Sequence, residues 1–242
     1  MFKTVFVCFI ALATAKKYTV QPIEKGVVFS QEIDIDQASG VRTVSVPQHN
    51  SVAAAEIIHS YHDGLTLYCQ TEEGTCFLMP LADRNEPGQA ELQAGLDMLQ
   101  RERSGFLPDW ETEVVVNQWA VVGRAERGSL SAVLAAFHAD LPVYMVEKID
   151  DSALLLGNSP AVHPASPLTR RQTCGNGADP VRQYAVSNPA GCEYLVFCDV
   201  DHTNGNYNDC PRRHVLDQFF MACLCCPEHT TREQCIYCVN LE

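Results

Sequence analysis

The chain has 242 residues, of which 46% are hydrophobic, and a formal net charge of −13. This length is enough for one ordinary domain and a smaller one, and the hydrophobic content is typical of a globular chain. The acidic balance, without a basic stripe, argues against nucleic acid and anionic membrane surfaces as partners.

The first residues have the pattern of a secretory signal peptide. Lys3 supplies a positive charge, an apolar run extends from Thr4 to Ala15, and Ala13-Thr14-Ala15 is a small-x-small cleavage site. A helical run of this length rises about 18 Å, too little for a hydrocarbon core of about 30 Å. We expect cleavage after Ala15 and a secreted protein with no stable membrane span. A buried N-terminal strand is the alternative.

Cysteines are distributed unevenly. Two lie between Lys16 and Arg171, and nine lie in the last 71 residues. In an oxidising compartment most of them should form disulfides. The candidates are Cys69, Cys76, Cys174, Cys192, Cys198, Cys210, Cys223, Cys225, Cys226, Cys235 and Cys238.

Composition divides the chain into five segments. They are a signal peptide (1–15), a pro-region with a β-hairpin that joins the sheet (16–50), a main domain (51–150), a flexible linker (151–171) and a cysteine-rich domain (172–242). The linker is rich in proline and ends at Arg170-Arg171. Such a dibasic pair is typical of proprotein processing, and two solvated arginines are the alternative.

The strand signals of the middle part start before residue 51. Phe29, Ile33 and Ile35 alternate with polar residues, and Val44 and Val46 continue a second strand after a turn at 37–40. Further strands are predicted at 64–68, 75–79, 112–122 and 143–146.

Two helices are predicted between these strands. Leu92, Leu96 and Leu99 recur at helical spacing. Ser129 is a good N-cap for a second helix, whose apolar stripe would be Leu130, Val133, Leu134 and Phe137. The pattern predicts an α+β domain with an antiparallel sheet.

The cysteine-rich segment contains β-prone stretches. Tyr194–Phe197 and Ile236-Tyr237 are aromatic or β-branched, whereas Val215, Phe219 and Ala222 are spaced as one face of a short helix. A β-prone stretch exposed before its disulfides form is an aggregation hazard.

Four segments resemble the BRICHOS family, which includes chondromodulin, the lung surfactant protein C precursor and the BRI proteins. They are residues 57–66 (IIHSYHDGLT), 75–81 (TCFLMPL), 105–108 (GFLP) and 138–144 (HADLPVY). The resemblance implies a roughly five-stranded antiparallel sheet with a helix on each side. It also implies an ATP-independent chaperone that holds a β-prone segment of the same precursor.

The chain departs from this family at two positions. The near-invariant aspartate of the family falls on Ser60, and strand alternation would point Asp63 to the opposite face. The second cysteine of the family falls on His138, so Cys76 lacks its usual partner. We expect Cys69 to pair with Cys76 across a hairpin, with pairing of Cys76 to the C-terminal part as the alternative.

The remaining motifs predict no catalytic site. His59 and His62 would lie on opposite faces of a strand, so satisfied or solvated histidines are favoured over a metal site, and His138 suits the end of a helix. The Cys225-Cys226 and Cys235-x-x-Cys238 pattern can bind zinc, but disulfides are favoured in a secreted chain. No hydrolase, metalloprotease or phosphate-loop motif occurs, and we expect neither an enzyme nor a cofactor.

We therefore expect a secreted precursor whose BRICHOS-like domain is an intramolecular chaperone for its own C-terminal segment, which cleavage after Arg171 would release. The alternatives are a released disulfide-rich host-defence or signalling peptide and an uncleaved extracellular structural protein. The segment after Arg171 has a net charge of 4 − 9 = −5, which argues against attack on anionic membranes. An odd cysteine in this segment would stay free or link two chains as a disulfide-bonded homodimer.

Overall fold

The computed structural model describes residues 15–84, 86–101, 112–148, 167–173, 180–185, 190–200 and 207–225. The first strands are β1 (Lys16–Val20), β2 (Ile23–Glu24), β3 (Val27–Val28), β4 (Gln31–Asp36), β5 (Val41–Val46), β6 (Ala55–Ser60), β7 (Leu65–Gln70) and β8 (Thr75–Pro80). Then come α1 (Gln89–Arg101), β9 (Thr112–Arg124), α2 (Ala132–Ala136), β10 (Val143–Lys148), β11 (Pro167–Thr173), β12 (Pro180–Ala185), β13 (Gly191–Val200) and β14 (Tyr207–Cys225).

Twelve of these strands form one mixed sheet. Its order is β1-β4-β5-β6-β7-β8-β10-β9-β14-β12-β11, and β13 also pairs with β14. The pairs β8–β10 and β9–β14 are parallel, and the others are antiparallel. The short strands β2 and β3 form a hairpin of their own.

The predicted fold class is therefore wrong. The described residues form a mostly β fold, not a five-stranded antiparallel sheet flanked by two helices with a small disulfide-rich domain attached. Strands β11 to β14 extend the same sheet. The physical reason is burial, because Tyr194, Leu216 and Phe219 of the C-terminal part share one core with Ile57 and Leu96 of the N-terminal part.

Two hairpins of the meander β4–β8 lie where alternation and turn residues predict them, whereas β6 was not predicted as a separate strand. Strands β4 and β5 flank the turn at 37–40, and β7 and β8 flank the turn at 71–74. Gly40, Gly64 and Gly74 end their turns with positive φ values of 63°, 65° and 66°. Glycine adopts this left-handed conformation without steric cost, which fixes the local register.

The helix predictions had mixed outcomes. Helix α1 buries Leu92, Leu96 and Leu99 as predicted. Helix α2 has five residues, and its N-cap position is Ser131 rather than Ser129, which ends a short 3-10 turn.

The predicted helix at Val215, Phe219 and Ala222 is wrong, because these residues lie in β14. Strand β14 pairs with β9 on one side and with β13 and β12 on the other, so tertiary pairing overrides the helical spacing.

The meander is buried on both faces. One core contains Ile57 of β6 together with α1, β13 and β14, and a second core contains Ile58 of β6 with Leu134 of α2. Since successive residues of a strand point to opposite faces, β6 supplies both cores. In the described part of the chain, no helix is long and apolar enough to cross a membrane.

Candidate functional site

The candidate site is the contact between the meander and β13. Strand β13 lies across β5, β6 and β7, and all of its residues from Gly191 to Val196 are buried. The residue just before it, Ala190, is 5% exposed. The burial of this strand against elements far away in sequence is the main feature that the sequence did not predict.

A buried charge cluster lies at the centre of this contact. The Arg42 side chain of β5 is fully buried, and its Nη2 lies 2.8 Å from Glu86 Oε2 and 2.8 Å from Glu193 Oε1 of β13. Its Nη1 donates to Tyr61 Oη at 3.0 Å. Burial opposes the charge of the guanidinium, but Glu193, Tyr61 and Glu86 raise the pKa of Arg42 above its ordinary value. Arg42 is therefore a permanent buried cation.

His59 of β6 completes the cluster. Its Nε2 lies 3.2 Å from Glu193 Oε1, and its Nδ1 lies 2.9 Å from Thr66 Oγ1. Burial, and secondarily the charge of Arg42, lower the pKa of His59. The lowered pKa favours the neutral form of the ring, and the cluster pairs one guanidinium with two carboxylates.

The same groups have the composition of a metal site, but Arg42 fills it. Ligand atoms of His59, Glu86 and Glu193 lie within 4.8 Å of one another. Arg42 Nη2 lies 2.8 Å from an atom of each of the three. The guanidinium thus takes the position that a cation would need, and the cluster pairs its carboxylates with an internal charge.

Three polar side chains of the meander bind the main chain of the held segment. Gln31 donates from Nε2 to Tyr194 O at 3.2 Å and accepts from Tyr194 N at 2.9 Å. Tyr68 Oη and Gln70 Nε2 donate to Ala190 O at 2.7 and 2.6 Å. Gln31 thus reproduces the hydrogen bonds of a neighbouring strand, and these contacts do not depend on the side chains of the held segment.

Two glycines allow β13 to approach closely. A Cβ on Gly191 would lie 1.4 Å from Tyr68 Oη. A Cβ on Gly95 of α1 would lie 2.4 Å from Val196 Cγ1. Any larger residue at either position must displace β13 or its support.

Cys192 of β13 is buried and is not part of a disulfide. Its Sγ lies 3.4 Å from His49 Nε2, and the His49 ring stacks on Phe29 with a centroid distance of 3.6 Å. Burial, followed by the charges of Glu24, Glu193 and Asp217, raises the pKa of the Cys192 thiol well above its ordinary value. A buried thiol that stays protonated is unreactive in disulfide exchange.

The predicted hairpin disulfide is present. Cys69 and Cys76 face each other in β7 and β8, with a Cα–Cα distance of 4.0 Å, and are bonded. Cys198 and Cys210 form a second disulfide.

The other predicted cysteines are less well defined. Cys223 and Cys225 lie in β14. Cys174, Cys226, Cys235 and Cys238 lie outside the described residues, as does the β-prone Ile236-Tyr237.

Among the family-motif residues, Ser60 and Asp63 contact each other, and His138 contacts Glu56. Asp63 lies in a turn, where strand alternation does not apply, and its Oδ2 accepts from Ser60 Oγ and Ser131 Oγ at 2.5 Å each. The bonds from Ser131 and then Ser60 lower the pKa of Asp63. His138 follows α2 with φ 43°, and its Nε2 lies 2.8 Å from Glu56 Oε2.

The structure describes the predicted processing sites only in part. Ala15 is the first described residue and is exposed. Arg170 and Arg171 lie in β11, which pairs with β12, although a free linker was predicted to end there.

Sequence reasoning missed Arg42, Gln31, Glu193 and Gly191. A signal for two of them was available, because Arg42 shares its strand face with Val44 and Val46, and Gln31 shares its face with Ile33 and Ile35. A polar residue on an apolar face must have a buried partner. That partner lies about 150 residues away in each case, which no local pattern reveals.

A comparison with protein families, curated proteins and solved structures finds no match for this chain. The BRICHOS resemblance therefore stays a prediction based on the four segments named above.

Proposed function

We propose that this is a secreted precursor protein whose N-terminal part, residues 16–148, holds its own β-prone C-terminal segment and prevents that segment from self-association. The observation that carries this proposal is the burial of β13 between the meander and α1, with its main chain bound by Gln31 and the preceding Ala190 carbonyl bound by Tyr68 and Gln70. Secretion is supported by the signal-peptide pattern of residues 1–15.

The held strand has the composition that needs such protection. Residues 191–198 read GCEYLVFC, with two aromatic residues and a single charge. An exposed stretch of this kind pairs readily with copies of itself. Self-association needs exposed apolar side chains and free main-chain hydrogen-bonding groups. Burial of the side chains of β13 and the hydrogen bonds to its main chain make both less available.

An uncleaved extracellular protein is the second candidate. It is favoured by the position of Arg170 and Arg171 inside a paired strand, because proteases bind their substrates as free extended segments. Mass spectrometry of secreted material distinguishes the two, since a fragment that starts at Gln172 requires cleavage.

The holding function is tested with Gly191→Ala in the full-length oxidised chain. The added methyl group would overlap Tyr68, so β13 should leave its site. We expect this variant to aggregate and to bind an amyloid dye at concentrations at which the wild type stays monomeric. Gly128→Ala is the matched control, because a Cβ there meets no atom within 4 Å.

Alkylation of Cys192, located by peptide mass spectrometry, reports whether β13 has left its site. A Gly191→Ala chain in which Cys192 is alkylated but which remains monomeric would show that the segment needs no protection, and the proposal would be rejected.

A further inference from the structure

The site does not accept all strands equally, and this selectivity rests on the proposed holding function. We infer that Arg42 is a specificity-determining residue, which selects strands that place one carboxylate against it and excludes strands that place a cation there.

Arg42 has a fixed charge in a fully buried position. Within the N-terminal part it already contacts Glu86 and Tyr61. The held strand adds a second carboxylate, Glu193, whose side chain is 0% exposed. Because an arginine in a protein does not lose its proton, the position opposite it always faces a positive charge.

The groups around Glu193 tolerate some side chains at position 193 better than others. A glutamine at 193 keeps an oxygen that can accept from Arg42, and it leaves the Arg42–Glu86 pair intact. A lysine at 193 would place two cations against one carboxylate without access to water, which is strongly unfavourable. The expected order of acceptance is therefore acidic strands first, neutral strands next and basic strands last.

Loss of Arg42 has a different consequence. Without it, Glu86 and Glu193 would be two buried carboxylates that have lost the guanidinium between them. Removal of the Glu193 carboxylate should then favour the docked position of β13. Glu193→Gln is therefore expected to restore docking in an Arg42→Gln chain. A residue that only fills space would show no such reversal.

The other contacts do not supply this selectivity. Gln31, Tyr68 and Gln70 bind main-chain atoms, which every extended strand presents. The partner class is thus an extended apolar strand with glycine two residues before an inward-facing acidic residue. The C-terminal segment fits this class through Gly191 and Glu193, and its net charge after Arg171 is −5.

The test compares Glu193→Gln, Glu193→Lys, Arg42→Gln and the Arg42→Gln/Glu193→Gln double variant in the full-length chain. Docking is measured by the rate of Cys192 alkylation and by hydrogen exchange of the peptide that contains β13. We expect Glu193→Gln to stay within about tenfold of the wild type, and Glu193→Lys and Arg42→Gln to open β13 roughly a hundredfold more often. The double variant should return towards the value of Glu193→Gln.

Glu147→Lys, at an exposed position of β10, is the control for the change in net charge and should leave docking unchanged. Equal docking of Glu193→Gln and Glu193→Lys would overturn the inference, and so would a double variant no better docked than Arg42→Gln. If Arg42→Gln does not fold, the Glu193 series alone decides. Aggregation is not measured here, so failure of this inference is distinct from failure of the holding function.

Discussion

Residues 31–80 form antiparallel strand pairs, as do residues 191–200 with 207–225, but the two regions depend on distant contacts to different degrees. In the meander each strand pairs with its neighbour in sequence across a short turn. In the C-terminal part β13 and β14 also pair with each other, but β14 pairs in addition with β9, and β13 is bound by Gln31 and Arg42, more than 100 residues earlier. Local contacts therefore specify the first region, whereas the second depends on a surface that the first provides.

This difference explains why a holding function suits the N-terminal part. The meander closes hairpins with little loss of loop entropy and can form early. Because the partners of β13 and β14 on the N-terminal part are far away in sequence, we expect these strands to reach them later, with their apolar residues exposed until then. The largest risk of self-association thus falls on the region that the N-terminal part covers.

The largest expected effect concerns the glutamine side chains that bind main-chain atoms in the two regions. Gln31→Leu removes two hydrogen bonds to the N–H and C=O of Tyr194, and we expect a loss of about 2–4 kcal/mol in the free energy of unfolding. Denaturant unfolding measures the loss, and faster hydrogen exchange in the β13 peptide should accompany it.

Gln89→Leu is the comparison, because Gln89 Nε2 binds Asp36 O and Val41 O inside the N-terminal part. It should lower stability without selectively opening β13. If both variants open β13 to the same degree, the two regions are not held separately.

A smaller effect is expected at the contact of α1 with β13. Gly95→Ala places a Cβ against Val196, and such overpacking costs about 1–3 kcal/mol. Thermal unfolding measures the loss. Val196→Ala makes room for the new methyl group, so the double variant should be more stable than Gly95→Ala, and additive losses would contradict direct contact.

The smallest expected effect is the response to acid. Because burial and Arg42 lower the pKa of His59, the folded chain holds this ring neutral while the unfolded chain binds a proton more readily. The contribution to stability is complete above the ordinary histidine pKa of about 6.5 and is lost as pH falls below it towards the lowered value.

Urea unfolding at pH 7.5 and 5.5 tests this response. His59→Gln should show a smaller drop in stability than the wild type between these two values. Equal drops in the two chains would show that His59 does not carry the dependence.

The sequence supported the meander because its signals are local. Alternation located the strands around Ile33 and Val44, glycines at the turns closed the hairpins, and the leucine spacing located α1. The hypothesis that Cys69 pairs with Cys76 held for the same reason, since seven residues and one tight turn separate them.

Sequence reasoning gave a wrong prediction where the choice between helix and strand depends on pairing with distant strands. The spacing of Val215, Phe219 and Ala222 fits one face of a helix, but β14 is buried between β9 and β13, where an extended strand satisfies its backbone groups. The resemblance likewise implied a small sheet and could not include strands contributed by the cysteine-rich part.

By itself, the sequence indicated the hairpins β4–β5 and β7–β8, helix α1, the pairing of Cys69 with Cys76 and the β-prone character of residues 194–197. Only the tertiary structure decided that this stretch lies against Arg42 and Gln31, that β14 is a strand, and that Cys192 is buried beside His49. The physical reason is range, because alternation and turn residues act between neighbours, whereas a buried charge or amide is defined by a partner that only the folded chain brings to it.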